Sequence, residues 1–263
     1  MIDLISLRLA KRPRRPKQAA IAPPDALALR YAAAVDRLLR EWRAEIKRAV
    51  FAALDDLPGV RYDSPAMIEH ARVWLHRRFS EIMRDARVSE IVVPHAVRVA
   101  RRSKAELERV IGIPLDDTLP TTTIQQFARD TVAKIQGLAR SELDSVFDVV
   151  QKAQVQGLRV EQLRENIVER FGVSESYGAL LARDQTLKLA GRVNQERQTQ
   201  AGIMRYRWVS SRDERVRPEH RDLDGSEQSW AAPPVTSKDG RRNHPGQDYQ
   251  CRCTATPVLD DVL

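Results

Sequence analysis

The sequence predicts a mainly α protein, with elongated amphipathic helices and a small, loop-rich α+β module at its C-terminal end. Three observations lead there. Aromatic residues make up only 5% of the 263 positions while Ala, Leu, Val, Arg and Glu dominate, a balance that suits helices packed along aliphatic stripes better than a β-sandwich. Apolar residues recur at steps of three and four over most of the chain before Gly202. Beyond Gly202 the period drops to two and turn signals crowd together. These changes of character divide the chain into a basic flexible arm (1–22), an N-terminal helical region (23–120), a long-helix region (121–201) and a C-terminal module (202–263).

The arm carries most of the excess charge. Of a formal net charge of +8, residues 1–30 hold 7 basic and 2 acidic side chains, whereas residues 203–263 hold 10 of each. Arg8, Lys11, Arg12, Arg14, Arg15 and Lys17 are spaced by Pro13 and Pro16, which predicts an extended, mobile segment. Six cations so close together can neutralise DNA phosphates and release their counterions, giving affinity that is indifferent to sequence and falls with salt. A docking peptide for an acidic protein patch and a solvated tail are the alternatives. No aromatic residue lies in the arm, which argues against base stacking on single strands.

No run is long and apolar enough for a membrane span, and the apolar stretch at Leu4 to Leu9 is followed, not preceded, by its basic cluster, the wrong order for a secretory signal. The two cysteines, Cys251 and Cys253, are too close in sequence for an unstrained bridge, which excludes a disulfide framework and fits synthesis in a reducing cytoplasm.

Pro23-Pro24 opens the first helical pattern, with Leu27, Tyr31, Leu38, Trp42, Ile46, Val50 and Leu54 on one face, and Pro58-Gly59 ends it. A second begins near Ser64-Pro65 and carries Ile68, Ala71, Leu75, Ile82 and Ala86. Pro94 and Pro114 bracket a third. A strong pattern then runs from the Thr121 to Thr123 cap through Ile124, Phe127, Ile135, Leu138, Val146, Val149 and Ala153 to Gly157. A short helix around Leu163 and Ile167 follows, then a long one from about Ser174 to Thr199 with polar residues expected on its outer face. At about 1.5 Å per residue this last helix reaches roughly 40 Å. Met204, Tyr206 and Trp208 alternate with Arg205 and Arg207 as in a half-buried strand, and Cys251 to Val258 is a final strand candidate. Trp42 and Trp74, with His70 and His76 near the second, read as core and interface residues.

The chemistry-bearing residues concentrate in the module. They run Ser211-Arg212-Asp213-Glu214-Arg215-Val216-Arg217-Pro218-Glu219-His220, then Asp224-Gly225, Trp230, Pro233-Pro234, His244-Pro245-Gly246-Gln247-Asp248 and Cys251-Arg252-Cys253. This order, W-x-S-S-R-D-E-R-V-R-P-x-H, L-D-G, tryptophan before P-P, H-P-G-Q-D and C-R-C, resembles the Mu F-like head morphogenesis family of phages and prophages. The preceding Leu181-Ala182-Arg183-Asp184-Gln185-Thr186-Leu187-Lys188 is also similar to that family, so the resemblance covers about residues 120–260. It implies a minor capsid protein of a tailed double-stranded DNA bacteriophage, made in the host cytoplasm and carried in the virion head. It further implies a structural, non-enzymatic role in head morphogenesis, portal protein or major capsid protein as partners, and packaged DNA nearby.

Read from the residues alone, the module suggests a metal. If Cys251 and Cys253 share a strand, both thiols face one way, and His220 and His244 sit in proline-flanked loops able to fold over them. Two cysteines and two histidines make a closed tetrahedral set for structural zinc, which would staple a segment poor in apolar bulk. The alternative is ordinary buried thiols with histidines bonded to carboxylates. His220, Asp222, Asp224 and His244 could instead serve a nuclease or toxin-like effector, but the adjacent Asn243-His244 pair lacks the spacing of His-Asn-His enzymes. Asp213, Arg215 and Arg217 read as an internal ion-pair network more readily than as a phosphate site. No phosphate-cradling glycine loop, nucleophile elbow or cofactor box occurs, so no small-molecule substrate is expected.

Overall fold

The structure, a computed structural model, describes residues 20–55, 73, 76–77, 79–81, 83–158, 160–172 and 175–259. The six cations of the arm, Pro58-Gly59, Ser64-Pro65, Ile68, His70, Ala71, Trp74, Leu75 and Ile82 lie outside the described residues. The helices are α1 (Asp25–Asp55), α2 (Asp85–Ile111), α3 (Thr121–Gln156), α4 (Val160–Gly172) and α5 (Glu175–Gln200). After them come β1 (Arg205–Val209), α6 (Pro218–Asp222), β2 (Glu227–Ser229) and β3 (Thr254–Pro257). The fold is mainly α with a small α+β part at the C-terminal end, as the sequence predicts.

Two compact units can be distinguished. The helical unit comprises the described parts of 30–92 and 128–182; the module-bearing unit comprises those of 1–29, 93–127 and 183–263. In the helical unit α1 buries Tyr31, Val35, Leu38, Leu39, Trp42, Ile46 and Val50, all at helical spacing. α3 answers with Val132, Ile135, Ala139, Leu143 and Val146, and α4 with Leu163 and Ile167. Each such side chain gains about 1.5–3 kcal/mol by leaving water, which is why the apolar stripe decides the element. Trp42 meets Phe79 edge to face at 5.6 Å. Gly178 lets α5 approach closely, since a Cβ there would stand 2.7 Å from the Leu39 Cδ1. Inside this apolar packing Arg43 forms a two-pronged pair with Glu142, Nε to Oε2 at 3.0 Å and a terminal nitrogen to Oε1 at 2.6 Å.

One expected boundary moves. Pro94, expected to bracket a helix, lies inside α2. A proline in a helix interior costs about 3 kcal/mol, yet Val88, Val92, Ala96, Val99 and Ala100 are buried at helical spacing across it while Pro94 is exposed. Packing of that stripe outweighs the missing N–H. α3 does end where expected, at Gly157, whose φ of +64° suits the left-handed stop; Leu158 N–H then reaches back to the Ala153 carbonyl at 2.9 Å.

In the module-bearing unit Ile21, Leu107, Val110, Ile111, Ile113, Ala201 and Ile203 form one apolar cluster. The sheet is antiparallel in the order β2-β1-β3, with Tyr206 opposite Gln228 and Pro257, and Trp208 opposite Ala255. Tyr206 and Trp208 are fully buried, as the period of two predicts. The last strand is shorter than expected: β3 starts at Thr254, and both cysteines lie in the irregular segment before it, after Gln250 with φ +54°.

The polar residues of α5 correct the sequence reading. Asp184, Gln185, Thr186, Asn194, Arg197 and Gln198 are buried instead of facing outward. A loop-rich module leaves main-chain groups that no strand neighbour satisfies, and α5 supplies their partners. Asn194 Nδ2 and Gln198 Nε2 each donate to the Ala255 carbonyl at 2.9 Å. The Trp230 indole donates to Gln198 Oε1 at 3.1 Å, and Asp184 accepts from the Gln250 N–H at 2.7 Å. Gly191 makes the close approach possible: a Cβ there would lie 2.7 Å from the Pro245 carbonyl oxygen.

Candidate metal centre in the C-terminal module

β1 carries Trp208, α6 carries His220, and the irregular segment between Gln250 and β3 carries the two cysteines. His220 is presented by a short helix whose first residue is Pro218, and its ring lies edge-on to Trp208 at 5.3 Å. Its Nδ1 stands 3.5 Å from the sulfur of Cys251 and 3.5 Å from that of Cys253. These three donor atoms lie within 4.8 Å of one another, and all three residues are buried. On the opposite edge of the ring, Nε2 stands 3.1 Å from Asp248 Oδ2. Asp248 is fixed in turn by Asn243, whose Nδ2 donates to Oδ1 at 3.0 Å.

The electrostatics follow from this crowding. Burial works against a charged His220, but the Cys251 sulfur and the Asp248 carboxylate together hold its pKa above the ordinary value. Cys251 is pulled down to about 5, first by the Cys253 thiol donating to it and then by His220, against the cost of burial. Cys253 is pushed up, first because its thiol donates to the Cys251 sulfur, then by burial and by the negative charge on that sulfur. Backbone groups at Gly246 and Ser211 bond the sulfurs of Cys251 and Cys253 respectively. The Trp208 indole N–H has no conventional hydrogen-bond acceptor among the described residues, yet it favours negative charge on Cys253.

His244, the fourth residue of the expected set, lies outside this group. Its Nδ1 is 2.9 Å from the Tyr206 hydroxyl, and the ring packs against Tyr206 and Trp230 with a further bond to the Trp230 backbone. Burial lowers its pKa and raises that of Tyr206, so both groups are neutral and the phenol donates a hydrogen bond to the imidazole. With its lone pair so engaged, His244 is a core residue of the module. The residues missed by sequence reading are Asp248 and Asn243. Both were visible within Asn243-His244-Pro245-Gly246-Gln247-Asp248, but nothing in the spacing joins Asp248 to a histidine 28 positions away.

The residues considered for hydrolysis do not gather either. Asp222 is exposed, while Asp224 accepts from Ser210 N–H at 2.8 Å and from Arg212 at 3.0 Å, which hold its carboxyl below the usual range although burial opposes this. Asp213 is paired with Arg252 at 2.5 Å, which lowers its pKa, and Arg217 donates to the Tyr249 carbonyl at 2.7 Å. Arg212, Asp213, Arg217, Asp224 and Arg252 of the motif series are thus spent on one another and on nearby main chain.

Residues 144–256, which include all of these, match the family described as Phage Mu protein F like protein. This part of the chain is similar to that family. A protein of Haemophilus influenzae described as uncharacterized is 33% identical over 141 residues. That match covers 54% of this chain and 30% of the relative, so the chain spans less than a third of the protein it resembles. No solved structure matches. The matched segment runs from within α3 through α4 and α5 to β3. It therefore includes the polar face of α5 on which the module is seated.

Proposed function

We propose that this chain is a minor head protein of a tailed double-stranded DNA bacteriophage, with a structural, non-catalytic role in head morphogenesis. The observation that carries this reading is the Mu F-like match over residues 144–256, which contains the whole ordered motif series. The structure adds that Arg212, Asp213, Asp224, His244 and Arg252 of that series bind one another or the module's own core, as residues that specify a fold do. In this reading the protein belongs to the virion head, at or near the portal, with portal protein or major capsid protein as partner. The reading includes a structural zinc ion in the C-terminal module. The 1–22 arm supplies the contact with packaged DNA through Arg8, Lys11, Arg12, Arg14, Arg15 and Lys17.

Quantitative mass spectrometry of purified particles tests the assignment. The protein is expected at far fewer copies than the major shell protein; absence from particles, or a copy number equal to that of the shell protein, contradicts it. Removing residues 1–17 is expected to flatten the dependence of log DNA affinity on log salt. Identical slopes for the full and shortened chains would remove the arm from the DNA contact.

A further inference from the structure

We propose that His220 Nδ1, Cys251 Sγ and Cys253 Sγ together hold one zinc ion, with Asp248 orienting the imidazole through Nε2 and His244 taking no part. Zinc–sulfur bonds of about 2.3 Å and zinc–nitrogen bonds of about 2.0–2.1 Å, meeting at a tetrahedral angle, place nitrogen and sulfur roughly 3.5 Å apart. Both nitrogen–sulfur separations here are 3.5 Å. A hydrogen bond explains one of them but not both, because a single ring nitrogen has one proton or one lone pair in the ring plane and cannot aim it at two sulfurs. A cation at the centre of the three atoms satisfies all of them at once.

The surroundings are those of a metal-binding histidine. Asp248 accepts from Nε2 at 3.1 Å and is itself tied down by Asn243 at 3.0 Å, which fixes the tautomer that offers Nδ1 as the ligand. Main-chain groups at Gly246 and Ser211 bond the sulfurs, the kind of support a thiolate ligand uses. Two thiolates and an imidazole select a borderline-soft ion and disfavour magnesium or calcium. Relative exposures of 2%, 3% and 6% for His220, Cys251 and Cys253 place the centre inside the module, as a structural ion requires. Its need is local. The cluster around the sheet consists of Tyr206, Trp208, Trp230, Ala255 and the two cysteines themselves, a core so small that it gains much from a staple. The proposal does not depend on the virion role.

The test uses the full chain, exposed to zinc salt and then freed of excess metal. Elemental analysis is expected to give close to one zinc per chain, and X-ray absorption a first shell with two sulfurs at about 2.3 Å beside nitrogen or oxygen at about 2.0–2.1 Å. Asp248→Asn is expected to keep the two-sulfur shell while losing roughly 10–100-fold in zinc affinity in a chelator competition. Cys253→Ser is expected to lose zinc and become protease-sensitive between residues 203 and 259. Uptake below about half an equivalent, a first shell without sulfur, or Cys253→Ser that binds as tightly as the parent overturns the site. Unchanged affinity in Asp248→Asn overturns the orienting role. If Cys253→Ser does not fold, the absorption spectrum of the unaltered chain still decides.

Discussion

In the helical unit, side chains such as Leu39, Ile46, Ile135 and Leu143 fill the interior, and among the described residues the buried polar or charged ones are Arg43, Thr131 and Glu142, beside the polar tips of Tyr31 and Trp42. In the segment from Asp184 to Val258 aliphatic side chains such as Leu189, Val193 and Ile203 share the interior with rings, sulfurs and amides: Tyr206, Trp208, Trp230, His220, His244, Cys251, Cys253, Asn194 and Gln198. The first kind of interior asks only for apolar bulk at the right spacing, so many sequences satisfy it. The second asks for a particular partner at each position, because a buried amide or indole without one costs about 1–3 kcal/mol. That difference fits a motif series concentrated between Trp208 and Cys253, where the partners are specific.

The largest expected effect breaks the polar exception in the helical unit. Glu142→Leu leaves the Arg43 guanidinium buried beside a hydrocarbon, which should cost about 3–5 kcal/mol in urea unfolding, and adding Arg43→Met should restore most of it. A single change costing under about 1 kcal/mol would mean that the pair is solvated and the contrast between the two interiors overstated. Next comes Gln198→Ala, which takes away the acceptor of the Trp230 indole and one of two donors to the Ala255 carbonyl. A loss of about 1–3 kcal/mol is expected, read from tryptophan fluorescence during unfolding.

The smallest effect is a pH dependence. His95 lies in α2, 2% exposed, with Nε2 2.9 Å from Thr186 Oγ1; burial first and Arg98 second lower its pKa from 6.5 to about 4. The unfolded chain therefore binds this proton more readily than the folded one. Its contribution is complete above about pH 6.5 and is lost as pH falls toward 4. Between pH 7 and 6 the loss is under about 1 kcal/mol. In His95→Gln that part of the slope should disappear; an unchanged slope would assign it to other groups.

Much of the helical architecture was legible in the sequence because its cause is periodic. The stripes through Tyr31 to Val50 and Ile124 to Ala153 were read from spacing, and Gly157 from its role as a left-handed stop. Pro94 misled because a local rule was overruled by tertiary packing on both sides of it. The polar face of α5 misled for the opposite reason. Amides at Asn194 and Gln198 look like solvent-facing residues until the carbonyl of Ala255 is placed against them. Of the four expected metal residues, His220, Cys251 and Cys253 come together, whereas His244 is drawn to Tyr206 and Trp230. Asp248 could not be assigned from sequence, because its partnership with His220 exists only once α6 and the loop before β3 meet.

Hydrogen exchange of the full chain, with and without Gln198→Ala, tests most directly whether the C-terminal module is held by its polar seating on α5. Loss of Gln198 is predicted to speed exchange of the amides in β1, β2 and β3 while those of α1 and α4 keep their protection. Equal acceleration in α1 and β1, or no change in any strand, would contradict it.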